Sequence, residues 1–122
     1  MRPVVIGGDV WGVLEAEPGD PALTDRTGRE RLATTDPATR TVHVVRGLRP
    51  PLLDRVVLHE MAHAVTVSHG LLGALRKMVP GGSRVAVEEW AAGLVEGYGL
   101  EAAAMASEAL GRPVCVDGRC YG

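Results

Sequence analysis

Eighteen consecutive residues, 52–69, contain neither glycine nor proline, in a chain of 122 residues that holds 16 glycines and 8 prolines. Pro50-Pro51 stands before this stretch and Gly70 after it, which marks a helix start and a helix stop. Within it Leu52, Leu53, Val56, Val57, Ala62, Ala64 and Val65 recur with a helical rather than an alternating rhythm. A helix of that length must bury one face, and a chain of this size has room for one hydrophobic core and one domain. With 46% hydrophobic residues, 3% aromatics and no Phe, that core is built from Val, Leu and Ala.

The flanks supply the other layer. Arg2 to Glu17 is rich in Val and broken by Gly7-Gly8 and Gly12, which predicts two short strands joined by a turn. Residues 22–40 are polar and turn-rich, with Thr35-Asp36-Pro37 as a breaker and one short strand expected near Arg31 to Thr34. Thr41-Val42-His43-Val44-Val45 is the clearest strand. Leu71 to Val79 predicts a short helical turn, and Pro80-Gly81-Gly82 ends it. Ser83 can cap a second long helix that runs to Leu110 and stops at Gly111-Arg112-Pro113. Gly93, Gly97 and Gly99 weaken that helix intrinsically, so a close neighbour is expected on their face. In the tail, Asp117-Gly118 suits a two-residue hairpin turn and sets Cys115 opposite Cys120. A cross-strand disulfide, two reduced thiols or a second metal site are the readings open for that pair.

His59-Glu60-Met61-Ala62-His63 is an HExxH sequence in the middle of the first helix. Positions i and i+4 project from one helix face, so both imidazoles can address one metal ion while Glu60 lies about 100° round. Two imidazoles and a carboxylate suit zinc, and the adjacent glutamate can act as a base toward water. A catalytic zinc has three protein ligands and an open position, so a third ligand must come from elsewhere. Glu88 is preferred, because its face of the second helix carries Ala91, Ala92 and Val95. Glu89 would share its face with Glu96 and bring a second carboxylate toward the core. His69, ten residues after His59, stands at the offset where metzincin proteases place a third histidine, but Thr66 occupies the position that those proteases need as glycine.

Taken together, the strand at Thr41 to Val45, Leu58-His59-Glu60-Met61-Ala62-His63-Ala64 and Glu88-Glu89-Trp90-Ala91-Ala92-Gly93-Leu94-Val95 resemble the small glutamate-type zinc peptidases (gluzincins) of the ImmA/IrrE-like and phage-encoded minimal zincin kind. The likeness covers about residues 40 to 100. It implies a zincin-like α+β fold, with a small, mostly antiparallel N-terminal sheet on two long helices that hold a Zn2+ between them, followed by a C-terminal hairpin. It also implies His59, His63 and Glu88 as metal ligands and Glu60 as general base. Ala92 stands where the family often carries Asn or Asp.

The activity so implied is peptide hydrolysis of narrow specificity, on a regulatory or phage-related protein. Glu60 takes the proton of an attacking water and passes it to the leaving amine. Tyr98, Tyr121, His43 and Arg84 are candidate oxyanion donors. The strand at Val42 to Val45 is expected to lie at a sheet edge and pair with extended substrate. Trp11 and Trp90 are expected in the core.

The rival function is a non-catalytic zinc-stabilised interaction module, which would have no use for Glu60. Lys+Arg 13 against Asp+Glu 15 gives a net charge of -2 without a basic cluster, which argues against nucleic acid as partner. The short apolar runs argue against a membrane span. A soluble cytoplasmic protein acting as a monomer on a protein or peptide substrate is the expectation.

Overall fold

The computed structural model describes residues 1–25, 27–71, 73, 77 and 94–121. They form an α+β fold of one four-stranded sheet, two helices and a C-terminal hairpin. Strands β1 (Val4–Ile6) and β2 (Asp9–Ala16) form the expected N-terminal pair. A single 3-10 turn at Pro21–Leu23 follows, then β3 (Ala33–Asp36) and β4 (Thr41–Val45). Helix α1 spans Leu52–Ser68 and α2 spans Leu100–Leu110, with a wider π turn at Val95–Gly99 leading into α2. Strands β5 (Val114–Val116) and β6 (Arg119–Tyr121) make the hairpin.

The sheet order is β1-β2-β4-β3. After β2 the chain passes the outer position, runs down as β3, and returns as β4 in the gap between β2 and β3. β4 is therefore parallel to β2, while β1/β2 and β3/β4 are antiparallel, so the sheet is mixed. This corrects the expectation for Thr41 to Val45. Both sides of β4 are hydrogen-bonded to neighbours, and among the described residues the free edge on this side of the sheet belongs to β3. That strand also starts two residues later than its sequence suggested, because Ala33 pairs with Val44.

One face of the sheet supplies Val4, Ile6, Trp11, Val13, Val42 and Val44 to the core. Against it lies an α1 stripe of Val57, Met61, Ala64 and Val65, and beside that an α2 stripe of Ala102, Ala103, Ala106 and Ala109. Alanine on α2 brings the two helices close, which offsets the scarcity of aromatic bulk. Trp11 is fully buried, as expected, and its Nε1 donates to Ser68 Oγ at 2.7 Å. Both sequence-marked helix stops adopt left-handed backbone, with φ 67° at Gly70 and 72° at Gly111. At Gly97, nothing among the described residues lies within 4 Å of where a Cβ would be. The cap at Ser83, most of the turn over 71–79, and Glu88, Glu89, Trp90 and Gly93 lie outside the described residues. Among those described, no helix is long and apolar enough to cross a membrane.

The hairpin is anchored by a buried acid. Asp54, in the first turn of α1, is 1% exposed. Its carboxylate accepts from Arg112 Nη1 at 2.8 Å and Nη2 at 2.6 Å, and from the backbone N–H of Cys115 at 2.8 Å. Cys115 and Cys120 face each other across β5/β6 and form a disulfide. Of the readings open for the pair, the structure shows the cross-strand bridge.

The Arg112 guanidinium, helped by the Cys115 N–H, holds the Asp54 carboxyl below its ordinary range against the opposing effect of burial. Stability from a carboxylate of lowered folded pKa is full above its unfolded value of about 4 and is lost as pH falls through the folded value. Arg112→Met leaves Asp54 buried without its cation, and urea unfolding at pH 7 should show a loss of about 3 kcal/mol. As pH falls below about 4 the wild type should lose stability more steeply than Asp54→Asn, and parallel curves would show that this pair does not carry the acid dependence.

Candidate metal centre and cleft

The rotation of α1 is set by its buried stripe, and at 100° per residue that fixes where the HExxH side chains point. With Met61 and Val57 turned to the sheet, His59 and His63 fall on the exposed side and Glu60 on the shoulder between the two. The structure has this arrangement: Glu60 is 7% exposed, and both histidines are open to solvent. All three line a cleft of about 800 Å3 that also touches Thr35 and Asp36 of β3 and Asp25 and Arg31 of the preceding loop.

His59 and His63 are brought together, with Nε2 atoms 3.1 Å apart and rings edge to face at a centroid distance of 4.8 Å. Two nitrogens bonded to one zinc at about 2.0–2.1 Å and near the tetrahedral angle stand about 3.3 Å apart. The pair therefore fits as two ligands of one ion. The same separation serves an imidazole-to-imidazole hydrogen bond when one ring donates and the other accepts.

Glu60 is held by β3. Thr35 Oγ1 donates to Glu60 Oε2, and the same hydroxyl lies 3.4 Å from the Glu60 carbonyl oxygen. Sequence reasoning missed this contact, having read Thr35-Asp36-Pro37 only as a breaker. The available signal was the short Ala33-Thr34-Thr35-Asp36 run before a turn, a strand whose alternate residues share one face. Asp54 and Arg112 were missed too, because residues 58 apart give no local sign of pairing.

The cleft carries fixed charge. The Thr27 hydroxyl, the Arg31 guanidinium and the backbone N–H groups of Thr27 and Arg29 hold the Asp25 carboxyl far below the usual carboxylate range. The Thr39 hydroxyl, then the Ala38 N–H, lower that of Asp36. Both acids stay ionised at neutral pH. Arg31 Nε meets Asp25 Oδ2 at 2.6 Å.

Among the described residues no group of three His, Cys, Asp or Glu converges as a metal site. Glu88, the preferred third ligand, and Glu89 lie outside them. His69 closes the C-terminal end of α1, and its Nε2 lies 2.9 Å from Glu101 Oε2 on α2. That agrees with its reading as a helix-end residue and places it away from the His59/His63 pair. Of the candidate oxyanion donors, His43 lines the cleft, Tyr98 tilts against His69 at 4.9 Å, Tyr121 belongs to the hairpin, and Arg84 is outside the described residues.

No family model, curated protein or solved structure matches the chain. The likeness to the gluzincins thus rests on the residues quoted for it. His69→Gln should cost at most about 1 kcal/mol in urea unfolding, the scale of a partly exposed pair. It should leave the zinc content after reconstitution equal to that of the wild type, and lost zinc would return His69 to the ligand set.

Proposed function

We propose that the chain is a zinc-dependent metallopeptidase in which His59, His63 and Glu88 hold the metal and Glu60 is the general base. The observation that carries this reading is the 3.1 Å approach of His59 Nε2 and His63 Nε2 beside a buried glutamate at the wall of an open cleft. A histidine pair serving only to stabilise the fold would not call for an adjacent carboxylate directed along the same cleft. The chemistry supplied by a bound zinc is Lewis-acid polarisation of water and of the scissile carbonyl.

The chain's own residues do the rest. Glu60 accepts a proton from the attacking water and returns it to the departing amine. The free edge of β3 offers the substrate a template. Val45 N–H donates to Leu32 O at 2.8 Å, and by antiparallel alternation the backbone groups of Ala33 and Thr35 point away from β4. They have no backbone partner among the described residues. An extended peptide can pair there, so the strand-addition expectation moves from β4 to β3. A dedicated protein substrate, regulatory or phage-related, and a cytoplasmic setting belong to the same reading. Thiol titration without reductant checks the Cys115–Cys120 bridge against that setting.

Elemental analysis of wild type, Glu88→Gln and Glu60→Gln, purified side by side, tests the assignment. The expected result is one zinc per chain in the wild type, a sharp fall in Glu88→Gln, and retained zinc in Glu60→Gln, with the cleavage that the wild type shows in a mixed-sequence peptide library down by about 100-fold or more. Retained zinc in Glu88→Gln would move the third ligand to Glu89. No zinc in the reconstituted wild type would leave the interaction-module reading in its place.

A further inference from the structure

We propose that Thr35 is the positioning residue for Glu60: its hydroxyl holds one carboxylate oxygen against β3 and so presents the other to the cleft beside His59 and His63. This inference rests on the metallopeptidase reading and adds to it a residue outside the HExxH sequence.

An ionised carboxylate is acceptor-only and costs several kcal/mol to bury without donors. Glu60 is 7% exposed, and among the described residues its one side-chain donor is Thr35 Oγ1, on Oε2. Oε1 has no partner among those residues, so the held oxygen and the working oxygen are distinct. The hydroxyl lies near the Glu60 carbonyl as well, but it has one hydrogen, and the shorter, charge-assisted bond to the carboxylate takes it.

Thr35 is well built for this task. It sits opposite Val42 in the β3/β4 register, and Val42 is fully buried, so its side chain is on the sheet face that meets α1. β-branching leaves it few χ1 choices, so the strand sets the hydroxyl's position. Glutamate has three side-chain torsions, and a general base must lie within about 2.6–3.2 Å of the proton that it takes. Fixing Oε2 removes most of that freedom before substrate arrives. The backbone N–H and C=O of the same residue face the outer edge of β3, unpaired among the described residues, so a peptide paired on β3 grips the residue that holds the base. Substrate alignment and base alignment then share one rigid part.

The test compares wild type, Thr35→Val, Thr35→Ser, Glu60→Gln and the Thr35→Val/Glu60→Gln double variant, each prepared metal-free and loaded with cobalt(II) as the probe. Visible absorption of the bound cobalt reports its surroundings without any turnover. Thr35→Val should shift the bands in the same direction as Glu60→Gln, the double variant should shift no further than Glu60→Gln alone, and Thr35→Ser should match the wild type. With zinc restored and a library peptide that the wild type cleaves as substrate, Thr35→Val should lower kcat by about 10- to 100-fold and leave KM within about twofold, with Thr35→Ser recovering kcat. Thr35→Ser shows that the hydroxyl is responsible, and equal bound cobalt per chain and an unchanged far-UV circular dichroism spectrum in Thr35→Val exclude a loss of folded fraction, which would lower kcat while sparing KM. A Thr35→Val chain that binds cobalt and keeps the wild-type spectrum and kcat overturns the positioning role alone. A wild type that binds no cobalt overturns the metallopeptidase reading and this inference with it.

Discussion

The angle at which α1 is turned about its own axis governs most of what the molecule presents. Val57, Met61, Ala64 and Val65 are all buried against the sheet and α2, and rotating the helix by one residue position would carry them about 100° out of the core. At about 25 cal/mol per Å2 of apolar surface, exposing such a stripe costs far more than any single polar contact can return. His59, Glu60 and His63 have no choice of direction once that stripe is seated. The histidines stand on the open side, and the glutamate lies on the shoulder facing β3. Hydrophobic packing, in itself indifferent to chemistry, thus aims the polar side chains.

Rotation alone does not fix the helix along its axis, and here the charged and polar anchors act. Asp54 ties the first turn of α1 to Arg112 beyond α2 and to the backbone of β5, while Ser68 ties the last turn to Trp11 of β2. His69 and Glu101 add a link between the C-terminal end of α1 and α2. Each bond is small, except the Asp54–Arg112 pair, whose breakage strands a buried carboxylate. Between the two ends the alanines of α2 allow close helix contact, so little slack remains in the middle of α1, where the HExxH residues sit.

Much of this is legible in the sequence alone. The gap in glycine and proline from 52 to 69 gave α1 nearly to the residue, and the β-branched run gave β4 in full. Gly70, Gly111 and the Asp117-Gly118 turn were readable because each rests on local backbone chemistry. The elements hidden from the sequence depend on long-range pairing. Nothing in Thr41 to Val45 says that its strand is inserted between β2 and β3, because edge or interior status is a property of the sheet and not of the strand. Thr35 was hidden for the same reason: a threonine before Asp36-Pro37 looks like turn chemistry until the β3/β4 register turns its hydroxyl toward α1. The pairing of His59 with His63 was visible because i and i+4 are neighbours on any helix. The third ligand expected from a later helix had no such local warrant.

The insertion of β4 has a consequence for where chemistry can occur. Had the strands followed chain order, β4 would have formed the outer strand of the sheet beside the cleft. Its inner face offers the buried Val42 and Val44, side chains that can pack against α1 but cannot hold a carboxylate. Because β4 is interior, its β-branched run goes into the core, where it is most useful, and the shorter and more polar β3 is left at the margin. Ala33 and Thr35 alternate on its inner face, the first closing the core and the second meeting Glu60. A marginal strand with a small residue, a hydroxyl and outward backbone groups that are unpaired among the described residues can face solvent, helix and ligand at once, which a wholly apolar strand cannot do without exposing apolar surface. The division of labour between β4 and β3 is therefore a division between stability and function, and strand order alone enforces it.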